Sequence, residues 1–147
     1  MPRFREDVSS DRKPDVVNVC YVWMNPDVPL ALPVVLVVED EGFVRLMAVD
    51  MLEDAGFEVL EAGRASEAWA ILEHRPDVDV LFTDVDMPGS MNGFDLAGRV
   101  NERWPHIRLV ITSGRHWPRN DELPDHGQFV HKPYRMCQLV SAIGNAG

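Results

Sequence analysis

From Val34 onward the chain alternates between two hydrophobic periods. VVLVVED, residues 34–40, is an unbroken apolar run closed by acids, the pattern of a strand covered on both faces of a parallel sheet. The stretch that follows, EGFVRLMAVDMLEDAG, spaces Val44, Met47, Ala48, Met51, Leu52 and Ala55 three or four apart. It predicts a helix with those residues inward and Gly56 as its stop. Residues 57–62 (FEVLEA) predict a second strand, 66–74 a helix with Ala68, Ile71 and Leu72 inward, and 79–84 (DVLFTD) a third strand. Residues 93–104 predict a helix with Leu96, Ala97, Val100 and Trp104 on one side, stopped by Pro105. IRLVITSG gives a fourth strand, QFVHK a fifth, and 134–144 a closing helix.

Strands and helices in alternation predict an α/β fold: a doubly wound, flavodoxin-like (βα)5 sandwich whose five parallel strands lie in the order 2-1-3-4-5. One unit departs. Pro118 and Pro124 lie only six apart, so the fourth helix is expected to be short or broken, and 113–132 to be the least regular segment. Residues 1–33 carry five of the eleven prolines and no helical period, and are read as an appended flexible arm before a domain at 34–147. Composition favours a loose tail, or sequence upstream of the true start, over an added strand or partner-docking segment. Its apolar stretch, 16–24, is too short to span a bilayer.

The 147 residues suffice for one ordinary core without disulfides or structural metal. A formal net charge of −10 removes the basic footprint that nucleic-acid binding needs and opposes contact with anionic membranes, so direct DNA binding and a membrane role are not expected. Cys20 and Cys137 form no paired framework, which fits a reducing cytoplasm. Of fourteen basic residues only Lys13 and Lys132 are lysines, so Lys132 stands alone in the C-terminal half.

The third strand raises the chemical question, because VLFTDVDMPG ends an apolar run on two acids, Asp84 and Asp86. In open parallel sheets ligands sit at the carboxyl ends of the strands. The strand ends here carry Glu39 and Asp40, then Asp84, then Ser113, then Lys132, and strands about 4.8 Å apart bring them to one rim. Carboxylates gathered there repel one another unless a cation joins them, and hard oxygen ligands with room for water suit Mg²⁺. Lysine and serine beside them can hold phosphoryl oxygens as charge spreads.

This set resembles the receiver domain of two-component response regulators over 34–144, through VVEDE, TDVDMPG, the hydroxyl of ITSGR, and HKP. The resemblance implies that Asp84 is the phosphoacceptor, Asp40 a direct Mg²⁺ ligand, Glu39 a ligand through water, and Asp86 a ligand through its backbone carbonyl. It implies that Ser113 and Lys132 contact the phosphoryl group, and that the Lys132–Pro133 bond is cis. Thr112 and Ser113 are adjacent hydroxyls, and the place before Gly114 favours Ser113. Phe129 stands where the family often has tyrosine, and MPGSMNG is one residue longer than the commonest turn. Asp86 and Arg115 occupy the positions where the family tunes loss of the phosphoryl group.

The expected function is that of a single-domain response regulator in the cytoplasm, a switch more than a turnover enzyme. It would be phosphorylated by a sensor histidine kinase or a histidine phosphotransfer protein, and would signal to a downstream protein as the segment after Ser113 moves and Phe129 turns inward. A homodimer through the fourth helix, fifth strand and fifth helix is compatible with it. Two other classes stay in view. A phosphatase of the haloacid dehalogenase type also uses D-x-D, but on its first strand with the acid pair last, and here Glu39 and Asp40 precede Asp84. A receiver-shaped interaction module without phosphorylation would need none of these residues. His116 and His131 lack partners at metal-ligand spacing and are read as plain surface or core histidines; Trp69, Trp104 and Met51 are read as packing.

Overall fold

The computed structural model describes residues 33–119, 121–124 and 126–145. The arm expected before residue 34, with its apolar stretch 16–24, lies outside them except for Pro33. Five parallel strands, β1 (Val34–Val38), β2 (Glu58–Ala62), β3 (Val78–Asp84), β4 (Arg108–Ser113) and β5 (Gln128–His131), form one sheet in the order β2-β1-β3-β4-β5, as the alternation predicts. The described helices are α1 (Gly42–Asp54), α2 (Ala65–His74), α3 (Gly93–Arg103) and α4 (Met136–Asn145).

All five residues of β1 are buried, because helices cover both faces of the sheet and the strand is central. Its Val and Leu side chains each contribute about 1.5–3 kcal/mol by leaving water. β2, at the edge, exposes Glu58 and Glu61 instead. The registers carry the strands to a common end: Val38 lies opposite Ala62 and Thr83, Asp84 opposite Thr112, and Ser113 opposite His131.

The faces of α1 differ from expectation. Ala48, Val49, Leu52 and Ala55 are buried, whereas Met47 is 51% exposed beside the exposed Phe43 and Leu46. Apolar residues surround this helix almost completely, so spacing alone cannot choose the face that docks. Gly56 ends it as predicted: at φ 99°, a conformation that costs glycine little, its N–H reaches the carbonyl of Glu53 at 2.9 Å. α3 starts from a reciprocal cap, in which the Asn92 side chain accepts the Asp95 N–H at 2.9 Å and the Asp95 carboxylate accepts the Asn92 N–H at 3.3 Å. Leu96, Ala97 and Val100 face the core, and Trp69 and Trp104 pack ring on ring at 4.9 Å at its margin.

Between β4 and β5 the expected short or broken fourth helix does not form among the described residues of 114–127. Only five residues separate Pro118 from Pro124, each proline lacks an N–H, and the residue before each is turned away from the helical region. A turn takes its place, with the Glu122 N–H on the Arg119 carbonyl at 3.0 Å and the Arg119 N–H on the Glu122 carboxylate at 2.9 Å. The homodimer face expected to include that helix therefore lacks it. The Lys132–Pro133 bond is cis, as the resemblance implies. No helix among the described residues is long and apolar enough to cross a membrane.

Candidate functional site

Two elements fix the acid pair after β1. The Glu39 N–H continues the ladder onto the Ala62 carbonyl at 3.1 Å, and Arg45 of α1 donates to the Glu39 carbonyl at 2.7 Å. The Glu39 carboxylate is buried; one oxygen accepts the Glu41 N–H at 3.2 Å and the other the Lys132 ammonium at 2.8 Å. The same ammonium lies 3.2 Å from Asp84 Oδ1. Lys132 is itself aimed by its backbone N–H, which bonds the Ser113 carbonyl at 3.0 Å.

Asp84 ends β3 and is nearly buried. Support comes from beneath: the Gly93 N–H bonds the Val85 carbonyl at 2.9 Å, and a Cβ at Gly93 would overlap the backbone carbonyl of Asp84. Glycine is required there because the start of α3 touches the main chain of the strand end.

Glu39, Asp40 and Asp84 offer oxygen atoms within 4.8 Å of one another. Burial, reinforced by the charge of Glu39, pushes the Asp84 carboxyl up to about 6 against the opposing pull of Lys132. Burial works against the Lys132 ammonium, yet its hydrogen bond to Glu39 and the charge of Asp84 hold it above the ordinary lysine value. Part of the repulsion is thus already answered within the chain, and three carboxylates with one ammonium still leave two formal negative charges. A hard, all-oxygen donor set with that residual charge fits a small divalent cation such as Mg²⁺. The rim opens as a cleft of about 310 Å³ that also reaches Asp86 and Arg115.

Ser113 is placed differently. Its hydroxyl oxygen accepts the N–H groups of Arg115 and His116, each at 3.0 Å, and donates to Asp86 Oδ2 at 3.5 Å. It is thus on the rim but bound into the turn after β4. Thr112, the neighbouring hydroxyl, is buried with no hydrogen-bond partner. The Asp86 side chain lines the same cleft and meets His116 Nε2 at 3.1 Å.

Sequence reasoning missed three contributors. His116 has a partner after all, in Asp86, which lies 30 residues away and shares no spacing signal with it. His131 lies under Trp117, ring to ring at 4.4 Å and 13° apart, with Phe129 near the same indole at 5.6 Å. Gly93 was visible only as a helix start, although the Asn92 and Asp95 pair just around it marks the tight entry that it serves.

The family described as the response regulator receiver domain matches residues 35–144 of the chain. The response regulator receiver protein CpdR of Brucella abortus is 29% identical over 112 residues, which cover 74% of this chain and 92% of that protein. The sensor kinase CckA of Brucella abortus is 31% identical over 147 residues, 97% of this chain but 15% of the kinase. The chain spans about a quarter or less of the long relatives it matches. Among solved structures, the chemotaxis protein CheY4 of Vibrio cholerae superposes with a TM-score of 0.71 at 26% identity, covering 80% of this chain and 100% of that one. These matches set aside the haloacid dehalogenase order, and they agree with the strand order. The chain belongs to the response regulator receiver domain family of two-component signalling, whose members act as signalling switches.

Proposed function

We propose that the chain accepts a phosphoryl group on the carboxylate of Asp84 from a phosphohistidine of a sensor histidine kinase or a histidine phosphotransfer protein, and signals by the resulting change of conformation. The observation that carries this reading is the single ammonium of Lys132 bridging Glu39 and Asp84 at 2.8 and 3.2 Å. A carboxylate oxygen of Asp84 attacks phosphorus as the donor's P–N bond breaks, and the imidazole nitrogen leaves with that electron pair and takes up a proton. Lys132 is already aimed at the acceptor oxygen, so it meets the charge that spreads over the phosphoryl oxygens with little reorganisation.

Glu39, Asp40, Asp84 and the backbone carbonyl of Asp86 are the groups that would hold Mg²⁺. When bound, the ion supplies neutralisation of the acids and of the incoming phosphoryl charge. Ser113 would leave its turn to hold a phosphoryl oxygen, drawing residues 114–117 with it and freeing Phe129 to rotate inward. The reading places the chain in the cytoplasm, with a downstream protein as its target and without direct contact to DNA.

Incubation with a labelled histidine kinase tests it: the wild type is expected to take label only in the presence of magnesium, and Asp84→Asn to take none. Equal labelling of both proteins would remove Asp84 from the acceptor role. No labelling by any donor, small-molecule phosphodonors included, would leave an interaction module.

A further inference from the structure

We infer that His116 is a positioning residue: acting through Asp86, it holds the Ser113 hydroxyl in its resting seat and so sets how readily that hydroxyl moves to a phosphoryl group on Asp84. The inference rests on the acceptor reading above and deepens it.

Three contacts close a ring. The Ser113 hydroxyl oxygen accepts the His116 N–H at 3.0 Å, the His116 ring meets Asp86 Oδ1 at 3.1 Å, and Asp86 Oδ2 lies 3.5 Å from the Ser113 oxygen. With the Arg115 N–H also at 3.0 Å, both lone pairs of the hydroxyl are engaged and its proton is directed to Asp86. His116 touches the hydroxyl with its backbone and the carboxylate with its ring. Ser113 therefore cannot move toward Asp84 unless residue 116 parts from one of them. The contact with a carboxylate requires a proton on Nε2, which a neutral imidazole in that tautomer carries as an imidazolium does. The next residue adds a second anchor: Trp117 stacks on His131 of β5, so two successive side chains tie the turn, one to the loop after β3 and the other to β5.

The His116 and Asp86 side chains are about half exposed, which makes this a weak latch. Beryllofluoride with magnesium, titrated into the full chain and followed by amide resonances, reads the equilibrium. His116→Phe keeps a ring and loses the donor, and is expected to bind beryllofluoride about threefold tighter than the wild type. His116→Gln places an amide donor near the same point and restores the wild-type value. In a Ser113→Ala background there is no hydroxyl to hold, so His116→Phe changes nothing further. In metal-free protein the Arg115 amide exchanges faster in His116→Phe, at an unchanged urea midpoint.

If the wild type binds beryllofluoride and His116→Phe binds it equally or less tightly, the latch is wrong while the acceptor reading stands. If the tightening persists without the Ser113 hydroxyl, His116 acts by another route and the inference falls. If the wild type does not bind beryllofluoride at all, the acceptor reading fails and takes this one with it.

Discussion

The rim at the ends of β1, β3 and β5 and the connection from β4 to β5 sit side by side, yet they are held by opposite means. At the rim the backbone does the holding: ladder bonds fix Glu39, the contact with Gly93 fixes Asp84, and a strand-end bond fixes Lys132. The connection has no helix among its described residues, and beyond local turns such as that of Arg119 and Glu122, a serine hydroxyl, the His116–Asp86 contact and one ring stack fasten it. Main-chain bonds between buried strands open only with the domain, whereas exposed side-chain contacts break one at a time. The contrast teaches which half of the site is fixed and which half is free to respond.

The contrast is broken most severely at Gly93. Replacing it with alanine forces a methyl into the Asp84 carbonyl, and we expect a loss of about 3 kcal/mol by urea unfolding together with a marked fall in magnesium affinity. An unchanged midpoint would show that the rim yields more easily than its packing implies.

A smaller effect of opposite sign is expected from Asp84→Asn. The folded-state value of the Asp84 carboxyl, about 6, lies above its ordinary 3.8, so its contribution is fully present below pH 3.8 and is lost as pH rises through 6. At pH 7 without metal the charged side chain therefore destabilises the fold. Asp84→Asn should be more stable by about 1–2 kcal/mol after allowance for partial solvent screening. The difference between the two proteins should open between pH 4 and 6 and shrink when magnesium is added. A gap that does not vary with pH would mean that burial is not what raises this carboxyl.

The smallest effect on stability belongs to the connection. Trp117 is 70% exposed, so Trp117→Ala should shift the unfolding free energy by less than about 0.5 kcal/mol while accelerating amide exchange through 114–127 and leaving β1 and β3 unaltered. Unaltered exchange in that segment would mean that the stack fastens nothing.

The fixed half was legible in the sequence, and the responsive half was not. An all-apolar run such as VVLVV fits a central parallel strand and little else, and each strand then delivers its last residue to the rim, which is how Glu39, Asp40, Asp84, Ser113 and Lys132 came to be named together. Helix faces were less legible: Met47 and Val49 are equally apolar, and only packing decides that Val49 goes in. The prolines at 118 and 124 announced a disturbed helix, but not a turn closed by Arg119 and Glu122. Bonds such as those from Lys132 to Glu39 and from His116 to Asp86 join residues far apart in sequence and leave no periodic trace.

The parallel stack of Trp117 on His131 also makes this molecule report on itself. The indole is largely in water and stacked on an imidazole, while Trp69 and Trp104 meet at a tilt at the margin of the core. Parting of the two rings would change the surroundings of that one fluorophore, so a change in the posture of the β4–β5 connection is expected to register in the light emission of the native chain, with no dye attached.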